Sequence, residues 1–361
     1  MEVAVLGGGH GCYAAAADLS ERGHAVRFWR RDAAAFAPVI ETGRVTLKDR
    51  QGRRDIRIAQ PTADLAEAVR GAALIVVPLP ATAQAGLFPA LAPLLADNQV
   101  VFLPPGTFGS YALHKAARDA GNRARFAVAE TGTLPWLCRK HGPAEVAVSG
   151  RTTRLPTGVY PAKESDWAFD ILRKAFPAVE PRDDALDGAL MNAGPIIHPP
   201  LIVMNAGPLE HFPRWDIHKE GTQASIRRVT DALDGERMRL REALGYRAPH
   251  FPLADHYAKS GPEWMYGRGS HDKLTDSGDW REHIVLTEHR YMREDTRISL
   301  SFFASVAALA GVAMPLAQAF LSIGGAICGG DFMATGRTLA SLGLGALDRT
   351  PLQALLRVGF A

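Results

Sequence analysis

The sequence predicts two domains of different class: an α/β domain with a doubly wound, mostly parallel sheet over residues 1–184, and an all-α domain over residues 185–361. Three observations predict this. A glycine-rich turn joins a short apolar strand to an alanine-rich helix at the start of the chain. Short apolar runs then alternate with helical stretches through the first half. From Leu186 onwards the apolar period becomes helical. The 361 residues are enough for two domains of ordinary size.

In EVAVLGGGHGCYAAAADLSERGHAVRFWRRD, Glu2–Leu6 reads as a strand, Cys12–Arg22 as a helix ended by Gly23, and His24–Trp29 as a second strand. Gly7 permits the sharp turn between the first strand and the helix, and Gly9 lets the backbone approach a pyrophosphate. The free N–H groups and positive dipole end of the helix then face the phosphates. This is a Rossmann-type βαβ unit, with Gly7, Gly8, Gly9, His10, Gly11 and Cys12 expected to hold a dinucleotide. Cys12 stands where the pattern has its third glycine, and is small enough for close helix–strand packing.

The tip of the second strand reads Arg30-Arg31-Asp32. An acid there suits the ribose hydroxyls of NAD, whereas guanidiniums suit the 2′-phosphate of NADP. The two arginines favour NADP over NAD, against the alternative of a solvated basic loop end. A helix over Ala33–Glu41, a hairpin of Arg44–Lys48 with Asp55–Ala59, and a short helix over Thr62–Arg70 follow. Ala73–Leu79 and Gln99–Leu103 are continuous apolar strands, as in a sheet covered on both faces. Helices over Thr82–Leu95 and Ser110–Ala120 and a strand over Arg125–Ala129 complete the alternation. Ligands of such sheets sit beyond the carboxyl ends of the strands, which brings in Pro78 and Glu130 for the cofactor and Thr133 for a substrate. Residues 144–160 read as a closing antiparallel hairpin.

Hydrophobic residues make up 47% and charged residues 22% of the chain, the balance of a globular protein with a sizeable core. A net charge of +3, from 41 basic and 38 acidic side chains scattered along the chain, argues against a nucleic-acid or anionic-membrane partner. Cys12, Cys138 and Cys328 are too far apart to suggest a metal site, and no other histidine and acid set has ligand spacing. A strand begins almost at once, with no basic stretch or cleavage site before it, so a cytoplasmic location is expected. Residues 299–330 carry no charge. Polar Ser301, Ser305, Gln318 and Ser322, with Gly311 and Pro315 between two halves, make them two buried helices and a candidate homodimer face, not a membrane span.

The second half is organised around LDGALMNAGPIIHPP, residues 186–200. Pro195 separates Asn192 from His198, so both side chains are expected from a broken helix facing an interdomain cleft. Asp216–Ala243 reads as one long helix, with Arg227, Arg228, Glu236 and Arg237 on its solvated face. Residues 251–272 are loop-rich, a lid or substrate wall. In HRYMRED, Arg290 and Asp295 are five apart and would not share a face of a continuous α-helix. A break near Asp295 would let both point the same way; a helix cap and a surface ion pair are the alternatives.

These residues resemble the octopine/nopaline (opine) dehydrogenase family. The resemblance is carried by GGGHGCYAAAADL, LPPGTFGS, AETGTLPWLCR, MNAGPIIHPP and HRYMRED, in that order along essentially the whole chain. It implies a Rossmann domain followed by a helical domain, with NAD(P)H reducing the imine formed between an amino acid and a 2-oxo acid. It implies His198 as the catalytic histidine, Asp295 as its carboxylate partner and Arg290 as the arginine holding the oxo-acid carboxylate. Cys12, and His10 where the family often has asparagine, depart from the pattern.

The residue types suit that chemistry. An imidazole titrating near neutrality can deliver the proton that accompanies a hydride, and a carboxylate on its other nitrogen fixes the tautomer. Arg290 can clamp a carboxylate bidentately, and Asn192 can hold a substrate carboxylate or serve as a buried structural amide. The expected reaction is NAD(P)H-dependent condensation of an L-amino acid with a small, pyruvate-like 2-oxo acid. The alternatives are a simple 2-hydroxy-acid or polyol-phosphate dehydrogenase, or a non-catalytic NAD(P)-binding regulatory protein.

Overall fold

A computed structural model describes residues 1–360. The chain divides into two compact units, Met1–Ala189 with Arg357–Gly359, and Leu190–Leu356 with Phe360. The division falls after Ala189 because helix Ala185–Ala189 packs directly on the first unit's sheet. Two glycines allow this: a Cβ on Gly158 would lie 1.9 Å from the Asp184 carbonyl oxygen, and one on Gly188 would lie 2.6 Å from the Gly158 nitrogen.

The first unit has twelve strands: β1 (Glu2–Leu6), β2 (Ala25–Trp29), β3 (Arg44–Asp49), β4 (Gly52–Arg57), β5 (Gln60–Thr62), β6 (Leu74–Val76), β7 (Val100–Leu103), β8 (Ala127–Thr131), β9 (Trp136–Lys140), β10 (Glu145–Arg151), β11 (Leu155–Tyr160) and β12 (Val179–Pro181). Eight form one sheet in the order β12-β11-β8-β7-β6-β1-β2-β5. It is parallel except where β11 runs against β8. Successive residues alternate between two cores. Val3, Val5, Leu74, Val76, Val100 and Phe102 pack on one face, and Ala4, Leu6, Ile75, Val77, Val101 and Leu103 on the other. Burial on both faces is why these strands read as unbroken apolar runs.

A second sheet, in the order β4-β3-β10-β9, covers helix His10–Glu21. That helix therefore has no solvated side, and Gly11–Leu19 are all buried. Alanines 14–17 suit such a position because small side chains let both sheets approach. Buried Asp18 is answered by Trp136 Nε1 at 3.1 Å and Arg151 Nε at 2.7 Å.

The closing hairpin expected over residues 144–160 does not form. β10 joins the second sheet, antiparallel to β9 and parallel to β3, while β11 joins the first. The β3–β4 hairpin turns at residues 50–51, with Asp49 opposite Gly52, so its second strand starts three residues before the expected Asp55.

The second unit is helical apart from a two-residue ladder between Trp215–Asp216 and Arg281–Glu282. Its main elements are Gly194–Met204, Ala224–Leu244, a π-helical segment Tyr291–Leu300 continuing into Ser301–Ala310, and Pro315–Cys328. The expected helix from Asp216 begins only at Ala224, because Asp216 instead caps the turn at His218 and Lys219. Its charges are not all solvated. Arg227 and Arg228 are exposed, but Glu236 and Arg237 are buried. Glu236 accepts the N–H groups of Leu316 and Ala317 at 2.8 and 3.1 Å, capping helix Pro315–Cys328. Arg237 bonds Asp234 at 2.6 Å and the carbonyls of Leu190, His250 and Phe251. Buried ions require such partners, and the helical period alone does not reveal them. No helix among the described residues is long and apolar enough to cross a membrane.

Candidate active site

In the first unit, the glycine turn sits at the carboxyl end of β1. Gly7 has φ +120°, and its N–H donates to Trp29 O at 2.9 Å, tying the turn to the end of β2. A Cβ there would meet Leu79 Cδ2 at 2.5 Å and Cys12 Sγ at 2.8 Å, so only glycine fits. Gly9 caps helix His10–Glu21, and nothing lies within 4 Å of where its Cβ would be, so the space beside this backbone is open. Gly8 and Gly11 pass close to Arg30 and Leu134; a Cβ on each would lie 2.6 Å from Arg30 Nε and 2.8 Å from Leu134 Cδ1. A cradle that glycines keep open at a helix N-terminus fits a dinucleotide pyrophosphate.

Cys12 is buried, its thiol 3.5 Å from Leu6 O and 3.8 Å from Pro78 O. Burial pushes its pKa up to about 12, so it is a neutral filler between helix and strands. Pro78 is buried just past β6, and Thr133 is half-buried in the turn after β8. Arg30 donates to Tyr13 Oη at 3.2 Å and Ala35 O at 2.9 Å, while Arg31 is exposed. The acid of the Arg-Arg-Asp tip is engaged locally, Asp32 Oδ1 accepting Ala35 N at 3.0 Å. Glu130 lies at the carboxyl end of β8. Fully buried, its carboxylate accepts Phe108 N at 2.6 Å, Ser110 N at 3.3 Å and the Ser110 hydroxyl. It caps helix Gly109–Asp119, because a buried carboxylate must be answered by donors and that helix end supplies them.

In the second unit, Asn192, His198, Arg290 and Asp295 come together. Helix Gly194–Met204 starts with Pro195 in its first turn and continues through Pro199 and Pro200, so it is not broken around His198. Asn192 Oδ1 accepts Gly194 N at 3.0 Å just before the helix. His198 Nδ1 lies 2.9 Å from Asp295 Oδ2, with the side chains 15% and 4% exposed. The approach is off the line of a well-directed hydrogen bond, as is common before substrate closes a site. Asp295 thus takes the Nδ1 side of the imidazole, which leaves Nε2 as the ring nitrogen turned away from the carboxylate.

Arg290 and Asp295 share a side without any helix break. Tyr291–Leu300 is wound as a π-helix, whose i→i+5 repeat brings residues four and five apart round to one side. Arg290 Nη2 lies 3.3 Å from Glu294 Oε2, and Nε lies 4.0 Å from Asp295 Oδ2. The guanidinium side chain is 53% exposed above two buried carboxylates. Burial raises the Asp295 pKa to about 7, with the charge of Arg290 opposing the rise. Burial, then the charge of Arg290, holds His198 well below its ordinary value. Burial thus works against the charged form of each member of the pair, and one proton can be shared between them.

Sequence reasoning did not single out Tyr291 and His218. The Tyr291 ring stacks on His198 with centroids 3.6 Å apart and planes 8° off parallel, and its hydroxyl lies 2.7 Å from His218 Nε2. Tyr291 sits inside the quoted HRYMRED stretch, which was a usable signal. His218, distant in sequence from both, offered none.

Residues 181–328 match the family model for the α-helical domain of NAD/NADP octopine/nopaline dehydrogenase, and residues 2–106 that for the N-terminus of NAD-dependent glycerol-3-phosphate dehydrogenase. The chain is 26% identical to an opine dehydrogenase of Arthrobacter sp. (strain 1C) over 353 residues, 95% of each chain. Its fold is that of octopine dehydrogenase solved with NADH and agmatine, at TM-score 0.75 and 21% identity over 98% of both chains. An octopine dehydrogenase solved with NADH and pyruvate superposes at TM-score 0.71, again at 21% identity over 98% of both chains.

Proposed function

We propose that the chain, whose helical domain matches the NAD/NADP octopine/nopaline dehydrogenase model and whose full length is similar to an opine dehydrogenase, joins an L-amino acid to a small 2-oxo acid and reduces the product to an N-(carboxyalkyl) amino acid. The observation that carries this reading is the His198–Asp295 contact of 2.9 Å beside the half-exposed Arg290. The amine adds to the oxo carbon and water leaves, giving a C=N bond. Reduction places a hydride on that carbon and a proton on the nitrogen. The nicotinamide nucleotide held at the glycine turn supplies the hydride when bound.

The remaining duties fall to this chain's own residues. Arg290 grips the oxo-acid carboxylate with parallel N–H bonds and orients its carbon. His198 Nε2 moves protons at the reacting centre. Asp295 fixes the histidine tautomer and offsets the imidazolium charge when it forms. Tyr291 holds the imidazole plane by stacking and is itself anchored through His218. Asn192 shapes the entrance to the histidine helix, and Thr133 lies beyond the end of β8, where substrates of such sheets sit. Arg30 and Arg31, at the tip of β2, support NADPH over NADH. The pyruvate complex of octopine dehydrogenase supports a pyruvate-sized oxo acid.

The test is to follow NADPH and NADH oxidation with pyruvate or 2-oxoglutarate, with and without a panel of amino acids, and to identify the product by mass. Oxidation that needs both acid and amine, with a secondary amine formed, is expected. Oxidation with the oxo acid alone would replace this reading with a simple hydroxy-acid dehydrogenase. Nucleotide binding without any turnover across the panel would replace it with a regulatory protein.

A further inference from the structure

We propose that Lys140, at the end of β9, joins Arg30 in gripping the 2′-phosphate of the nucleotide and thereby selects NADPH over NADH. The inference rests on reading the glycine turn as a dinucleotide site. It adds to that reading a residue 110 positions away from Arg30 in sequence, carried by the other sheet.

Tyr13, in the first turn of helix His10–Glu21, is the meeting point. Lys140 Nζ lies 4.1 Å from the centroid of its ring, and Arg30 Nη1 donates to its hydroxyl at 3.2 Å. The Lys140 backbone is latched to the phosphate turn itself, its N–H donating to His10 Nδ1 at 2.8 Å. Arg30 is pressed against the same turn, its Nε 2.6 Å from where a Cβ of Gly8 would be. Two cations therefore flank Gly8, Gly9 and His10, from the tip of β2 and from β9.

Neither cation has a carboxylate at ion-pair distance among the described residues; Asp32, the acid of the strand tip, is turned to Ala35 N. Burial, and then the charge of Arg30, lowers the Lys140 pKa. Like charges held together without a counter-ion are unfavourable, and a dianionic phosphate between them removes that cost. The 2′-phosphate belongs at the tip of β2 in this fold, where Arg30 stands. His10 has a role in this arrangement: it fixes the strand that carries Lys140.

The experiment measures dissociation constants on the purified full-length chain by nucleotide fluorescence, with no amino or oxo acid present. The ligands are NADPH, NADH, adenosine 2′,5′-bisphosphate and ADP. Lys140→Met, which keeps an unbranched stem over Tyr13, is expected to weaken NADPH and the bisphosphate by about tenfold while leaving NADH and ADP unchanged. Lys140→Arg is expected to restore the preference, and Arg30→Met to reproduce the loss. Equal weakening of NADPH and NADH would place Lys140 on the shared pyrophosphate and overturn the proposal, as would no weakening at all. A melting curve of each variant confirms that it is folded. Because substrates are absent, the outcome is independent of whether the amine-dependent reaction occurs.

Discussion

A Cβ on Gly194 would lie 2.2 Å from Oδ1 of Asp295, so the carboxylate rests on bare backbone at the first turn of helix Gly194–Met204. Its other oxygen meets His198, four residues further along the same helix. Residues four apart share one helix face, which explains the Gly-Pro-x-x-His spacing: the glycine admits the acid and the histidine receives it. The positive end of the helix dipole favours a carboxylate in that position.

Gly194→Ala is therefore expected to displace Asp295 by roughly the width of a methyl group and to lower kcat about a hundredfold. Secondary structure should be retained, since crowding of this kind costs about 1–3 kcal/mol. Steady-state kinetics alongside circular dichroism checks both halves. Unchanged kcat would mean that the contact with Asp295 does not matter to turnover.

Asp295→Asn separates the pair's proton from its geometry. In the native protein burial lifts the Asp295 pKa to about 7 and depresses that of His198. The folded-state acid is thus raised above its unfolded value of about 3.9. Its contribution to stability is complete below that lower value and lost as pH rises through about 7. The asparagine variant lacks this loss, so its Tm relative to wild type should rise between pH 5 and pH 8. In the reductive direction the native rate should fall as pH rises through about 7, where the shared proton leaves. In the variant that inflection should move to lower pH, because no carboxylate offsets the imidazolium. A Tm difference that does not change with pH would remove Asp295 from this role.

Arg290→Lys keeps the positive charge and loses the two-pronged donor. The KM for the oxo acid is expected to rise about tenfold or more, with the KM for the nucleotide unchanged. Arg290→Met should do worse, because the buried Glu294 and Asp295 then lose the cation above them. An oxo-acid KM that is indifferent to both changes would assign the arginine to surface electrostatics alone.

His198→Ala is expected to lower kcat by about 100- to 10,000-fold, the range of a lost general acid, with nucleotide affinity intact. Tyr291→Phe keeps the stacked ring and drops only the bond to His218. It should therefore cost far less than Tyr291→Leu, which removes the stacking surface. The order of the three kcat values is the measurement.

Glu236→Ala addresses stability alone. Its carboxylate takes two backbone N–H groups at the start of helix Pro315–Cys328. Removing it leaves buried donors unanswered and should destabilise the fold by about 1–3 kcal/mol, read from denaturant midpoints.

Elements whose cause is local were legible in the sequence. The glycine turn, the alanine-rich helix behind it and the apolar strands follow from turn chemistry and side-chain period. So do the two helices on either side of Gly311 and Pro315. The hairpin expected over residues 144–160 failed because strand pairing is a long-range choice: Val146 pairs with Leu47, almost a hundred residues earlier. Nothing in the period of Ala224–Leu244 distinguishes solvated Arg228 from buried Arg237, since the difference lies in carbonyls brought by residues 190, 250 and 251.

By itself the sequence determined the fold class and the glycine turn, because these depend on residue type and near spacing, while His198, Arg290 and Asp295 stood out through the resemblance to a known family. Only the tertiary structure decided how they meet. The π winding of Tyr291–Leu300 turns residues five apart to one side, where an α-helix would have separated them. Bare backbone at Gly194 lets a carboxylate approach from another helix, and the second sheet brings Lys140 to Arg30 across Tyr13. These are contacts between segments distant in the chain, and their energies depend on burial and mutual position, which no local pattern of residues encodes.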